Sequence, residues 1–161
     1  MQGFQRALGY VWAAPLTLAG LLYVAAFTAV GWCRYTGRWG DAWVWNTVHG
    51  QAPRILESIW LHWSGHTMGN VVLLKLDARS ERGSIVLRHE LEHVRQCMVL
   101  GPLQPVLYCL AWLSLSFCRH GHPHYDNPFE VDARRAAGQI IDVVGSLKRA
   151  VADGRIALPG S

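Results

Sequence analysis

From Leu8 to Trp32 the chain runs twenty-five residues without a charge, bounded by Arg6 on one side and by Arg34 and Arg38 on the other. As a helix this stretch is about 37 Å long, enough to cross the apolar core of a bilayer with some tilt. Pro15 falls near its start, and Tyr10, Trp12 and Trp32 stand where interfacial aromatic anchors are expected. The expectation is a retained N-terminal membrane helix, its orientation left open by arginines at both ends. Two alternatives stand beside it: a cleaved signal sequence, for which Ala25, Ala26 and Ala29 offer small residues, and a hydrophobic core helix.

Composition agrees with a membrane setting. Charged residues make up 16% of the chain, against about a quarter in an ordinary soluble domain. The net charge of +4 is scattered, with no basic run and no nucleic-acid module, so membrane lipid is the expected partner and nucleic acid is not. The four cysteines have no C-x-x-C spacing, which predicts reduced thiols rather than a disulfide framework. At 161 residues the chain suits one domain with a modest core.

The chemistry centres on His89-Glu90-Leu91-Glu92-His93. On a helix the two histidines lie about 40° apart, so both imidazoles reach one metal ion, with the Glu90 carboxylate beside it. With 8 histidines and 5 glutamates, chance would give this pentapeptide in roughly one chain in eighty. The competing reading is an amphipathic helix whose histidines merely cap or pack. Against it, Gly69 to Leu76 reads as a strand leading through a polar connection into the motif.

Two histidines need a third ligand if zinc is to keep one open position for water. Glu130 is the best candidate. Asn127 suits a helix N-cap and Pro128 the first helical position, which places Glu130 in the first turn. The alternative there is a simple capping box between Asn127 and Glu130. Cys97, one turn past His93, cannot close a tetrahedron from the same straight helix and reads as core. His120, His122, His124 and Tyr125 precede Glu130 and could supply a ligand or an oxyanion donor, although a surface or packing role is the commoner fate of each.

With these residues in place, the chain resembles a group of small bacterial membrane-associated proteins with a zincin-like core. The resemblance rests on the motif with Val94-Arg95-Gln96, then Gly101-Pro102, Tyr108, and Tyr125-Asp126-Asn127-Pro128-Phe129-Glu130 leading to Ala133-Arg134. More broadly it is similar to the minimal gluzincin metallopeptidases. That similarity implies His89, His93 and Glu130 as zinc ligands and Glu90 as general base, with a peptide or protein substrate. One departure matters: many gluzincins place an aspartate four residues after the ligand glutamate, where Arg134 stands here. Asp132 faces away from that position, so the group orienting the histidines must come from elsewhere, with Asp126 as a candidate.

A second uncharged segment, Met98 to Phe117, separates the motif from Glu130. One crossing there would put His93 and Glu130 on opposite sides of the membrane, and twenty residues cannot cross twice. The ligand assignment therefore keeps this segment on one side, as a helix from about Gln104 to Phe117 with Trp112 and Leu113 facing lipid or the first segment. Residues 42–45, 59–63 and 70–76 read as short strands, and Val131 to Ala152 as a helix with an apolar stripe. The tryptophans in these strands are expected in the core more often than in a groove. His62 and His66 are expected to be structural.

The sequence thus predicts an α+β, zincin-like core: a small sheet, a motif helix and a Glu130-bearing helix. Residues 1–40 form the hydrophobic helix and linker, 41–152 the metal-binding domain and 153–161 a flexible tail. The expected activity is hydrolysis by zinc-activated water, of a peptide aligned along the strand at 70–76. The alternative is a non-catalytic metalloprotein with a structural or sensing zinc.

Overall fold

Alternating burial along Ala42–Thr47 and an unbroken apolar run at Val71–Leu74 give the sheet its two central strands. The computed structural model describes residues 2–48, 64–118 and 121–139. Its elements in order are α1 (Gln2–Ala29), β1 (Cys33–Trp39), β2 (Ala42–Thr47), β3 (Gly65–Met68), β4 (Val71–Leu74), α2 (Glu81–Leu100), α3 (Leu103–Phe117) and α4 (Pro128–Ala136). The strands form one mixed sheet in the order β1-β2-β4-β3. β2 and β4 are parallel, with Val44 opposite Val72, and the other two pairings are antiparallel. The architecture is α+β, as expected.

Strand pleating sends alternate residues to opposite faces. Ala42, Val44, Val72 and Leu74 meet Leu87 and Val94 of α2, while Val71 and Leu73 meet Val24 of α1 and Cys33. The sheet is therefore packed on both faces, which is why β4 reads as a continuous apolar run. Trp43 and Trp45 pack into the α1-side core, as the sequence suggested.

Several boundaries differ from the sequence expectations. Residues 33–39, read as linker, form β1 and pair with β2, so the sheet begins ahead of residue 41. β3 was not expected. β4 is paired on both sides and cannot offer an edge to a peptide; β3 holds that position among the described residues. The helix bearing Glu130 ends at Ala136 rather than running on, because Gly138 takes a φ of 67°. Residues 140–152, the tail at 153–161, the strand expected at 59–63, His62 and His120 lie outside the described residues.

The Met98–Phe117 segment breaks where expected. Gly101 caps α2 with a φ of 55°, and an added Cβ would come within 2.6 Å of the Trp12 ring nitrogen. Glycine is required there on both counts. α3 then leaves at 113° to α2. It starts within one residue of the expected position, and Trp112 and Leu113 are exposed. α1 is long and apolar enough to cross a membrane.

Candidate metal centre

α2 is set by its ends. Ser80 caps it by accepting a hydrogen bond from the Gly83 N–H, and Glu81 favours the positive end of the helix. With Leu87 and Val94 fixed against the sheet, His89, Glu90 and His93 are carried along one side toward α4. α4 is fixed by Asn127, which is fully buried. Its side-chain oxygen accepts from the Phe129 N–H and its amide donates to the Tyr108 carbonyl. Because Asn127 caps through Phe129, the Glu130 side chain is not spent on a capping box.

Glu130 turns to the histidines instead. His89 Nε2 lies 3.3 Å from Glu130 Oε2, and His93 Nε2 lies 3.5 Å from Oε1. The two Nε2 atoms are 3.2 Å apart. A tetrahedral zinc with bonds of about 2.0–2.1 Å separates its ligand atoms by about 3.3 Å. The two nitrogens have about that spacing, and the carboxylate presents a different oxygen to each; with one ligand atom apiece within 4.8 Å of one another, His89, His93 and Glu130 form a group able to hold a metal ion.

The orienting group on His93 is Gln96, which sequence reasoning did not single out. Its Nε2 donates to the Phe129 carbonyl at 3.0 Å, which leaves Oε1 to accept from His93 Nδ1–H at 2.8 Å. With a cation bound, that tautomer would present the Nε2 lone pair to it; with none, Nε2 faces Glu130. One amide therefore sets the histidine and ties α2 to α4. His89 Nδ1 is buried without a hydrogen-bond partner among the described residues. Asp126 does not take the orienting role; its carboxylate accepts from the His122 N–H at 2.6 Å. Arg134 donates to the Tyr125 carbonyl and lies over the Tyr125 ring, 5.4 Å from its centre.

Tyr108 is the second residue missed. Its hydroxyl, carried on α3, donates to Glu130 Oε1 at 2.9 Å. Burial, reinforced by the charge of Glu130, pushes the phenol well above its ordinary range and keeps it a donor. Burial would raise Glu130 too, but the hydrogen bonds from His89 and His93 outweigh it and hold the carboxyl far below the usual range.

Glu90 is buried beside the cluster and accepts from the Thr67 hydroxyl at 2.7 Å. Burial raises its pKa against the opposing pull of His93 and Thr67. β3 passes so close that a Cβ on Gly65 would sit 2.5 Å from Glu90 Oε1. These groups line a cavity of about 640 Å³. β3 forms one wall, from Ser64 to Thr67, and α3 another, through Gln104, Pro105, Tyr108 and Cys109.

The remaining candidates fall around this cavity. His124 is half-exposed on its rim, with Nδ1 3.7 Å from Glu130 Oε1, and Tyr125 lines it too. His122 accepts the N–H groups of His124 and Tyr125 and so shapes the loop. Cys97 is buried, and burial pushes its thiol up to about 11, which keeps it protonated. His66 sits in β3 beside the Tyr23 ring. No protein-family model, curated protein or solved structure matches this chain.

Proposed function

We propose that the chain is a membrane-associated, zinc-dependent hydrolase with a zincin-like site, acting on peptide bonds. The observation that carries this reading is the convergence of two imidazole nitrogens, 3.2 Å apart, and the Glu130 carboxylate within 4.8 Å of one another, beside a buried carboxylate and an open cavity. His89, His93 and Glu130 would hold the ion. Zinc bound there supplies a water of near-neutral pKa and polarises the carbonyl. Glu90 takes the proton of the attacking water and passes it to the leaving nitrogen, and its raised pKa suits both transfers.

The substrate backbone would align along β3, an edge strand among the described residues, which brings a carbonyl over Glu90. Tyr108, His124 and Tyr125 line the same cavity and are the donors available to the developing oxyanion. A structural or sensing zinc is the second reading. Structural sites are closed by a fourth protein ligand, whereas only three donors converge among the described residues, and they face a cavity.

Metal content and hydrolysis of a fluorogenic peptide library, measured together, test the proposal. Wild type should carry one zinc per chain, and Glu130→Ala should lose it. Glu90→Gln should keep the zinc and lose at least about a hundredfold in rate. Full activity in Glu90→Gln would overturn the mechanism, and a wild type that binds no zinc would overturn the site.

A further inference from the structure

α1 is built inside out. Its buried stripe is Gly9, Ala13, Thr17, Gly20 and Val24, small or polar for the most part. Thr17 is spent on Asn70, accepting from its N–H at 3.0 Å. The outward stripe holds the large side chains: Leu8, Val11, Trp12, Leu18 and Leu22 are 47–74% exposed. No exposed position between 8 and 26 carries a polar or charged side chain. A helix facing water reverses this arrangement, whereas small residues inward and large ones outward suit a helix against lipid.

The rest of the fold limits how lipid can reach it. Near one end of α1, Tyr10 donates to Asp41 at 2.6 Å and accepts from Arg38 at 2.8 Å. Near the other, Val24 and Thr28 meet Cys33. The β1–β2 hairpin therefore lies alongside most of the helix. Among the described residues β1 is an edge strand, and its Arg34 and Arg38 are exposed. α2, which also packs on α1, exposes Arg95 paired to Glu92. A perpendicular crossing would drag that open edge and those charges into hydrocarbon, where neither is tolerated.

α3 adds a second exposed apolar helix that begins beside α1. None of its residues is buried, and Val106, Leu110, Trp112, Leu113 and Phe117 are exposed. Its fifteen residues reach about 22 Å, short of a bilayer core of about 30 Å. The two helices join where Trp12 covers Gly101, with Val99 and Leu103 exposed on either side. The border charges are cationic: Arg6, Arg34 and Arg38 stand against Asp41, which Arg6 already pairs. That balance complements anionic headgroups.

We propose that α1 and α3 together seat this protein in one leaflet of an anionic bilayer, with α1 lying along the membrane rather than through it. Single cysteines at Gly3→Cys and Ala29→Cys, in a Cys109→Ser, Cys118→Ser background, test it with a membrane-impermeant maleimide. In right-side-out and inverted vesicles from expressing cells, both positions should label in one orientation and neither in the other. Labelling split between the two orientations would overturn the proposal, as would a mature chain lacking α1 by mass. The exposed pair Leu18→Glu, Leu22→Glu should fold normally by circular dichroism and shift the membrane-to-soluble ratio at least about a hundredfold. A variant that stays on the membrane, or a wild type recovered as a soluble dimer, would overturn it equally.

Discussion

α1 and α2 pack on opposite faces of one sheet, yet they end in opposite surfaces. α2 buries Leu87, Val94 and Cys97 and turns Arg82, Arg88 and Arg95 outward, so its exposed face is finished for water. α1 buries small residues and leaves Leu18 and Leu22 outside. The sheet accepts both because its own faces are uniformly apolar. On the proposed seating, what differs is the medium each helix has on its far side. Hydrophobicity alone would have ranked α1 as the core element; position in the fold makes α2 the core element and α1 the boundary.

The sharpest way to break this contrast is to truncate one leucine on each helix. Leu87→Ala, at a site 4% exposed, should cost about 2–5 kcal/mol in urea unfolding. Leu18→Ala, at a site 62% exposed, should change stability by no more than about 0.5 kcal/mol. Equal losses would mean that α1 packs outward on something and the contrast fails. Next in size, Gln96→Leu removes the acceptor on His93 and should weaken zinc about 10–100-fold in chelator competition. Gln96→Glu should recover part of this, since a carboxylate still accepts from Nδ1–H. Unchanged affinity in Gln96→Leu would show that His93 is oriented by another group.

The smallest effect is a pH dependence at the donor cluster. Burial lowers the pKa of His93, but its bond to Glu130 and the charge of Glu90 more than offset this and raise it in the metal-free fold. A raised histidine stabilises fully below its unfolded value of about 6.5 and stops doing so as pH climbs through the folded value. Glu130 is depressed, so its contribution is present above about pH 4.5 and lost as pH falls through the folded value. Glu90, raised by burial, adds to the loss at higher pH. The contributions of His93 and Glu130 are thus both fully present between about pH 4.5 and 6.5, and the metal-free protein should lose stability toward alkaline pH as His93 and Glu90 give up their protons. Zinc should reverse that slope. A flat profile in chelator would contradict the coupling of His93 to Glu130.

Legibility in the sequence followed the range of the interaction. The histidine spacing is a property of one helix, and Asn127-Pro128 is a local start signal, so the three donors could be named before any tertiary contact was known. The expectation that Met98–Phe117 stays on one side of the membrane followed from those donors. β1 and β3 were not legible, because as edge strands they bury little. Cys33–Trp39 carries a register shift at Gly37 and exposed arginines, and Gly65–Met68 is four half-buried residues. The unbroken apolar run at Val71–Leu74 was a usable sign of a central strand and an argument against a substrate edge there. Tyr108 reaches Glu130 across 22 residues, and although Gln96 lies three residues from His93, the bond that fixes its amide spans 33, separations at which no local pattern reports a direction.

α4 is nine residues long, below the length at which an isolated helix holds in water. Its hold on the rest of the fold runs through Asn127, Gln96, Tyr108 and the donor cluster itself. A zinc ion at a thousand times its dissociation constant would add about 4 kcal/mol to that hold, much of the margin of a small domain at about 5–15 kcal/mol. The ion would then act as a clasp on the chain, whatever its part in chemistry. Protease resistance, and with it the lifetime of the protein in the cell, would follow metal supply.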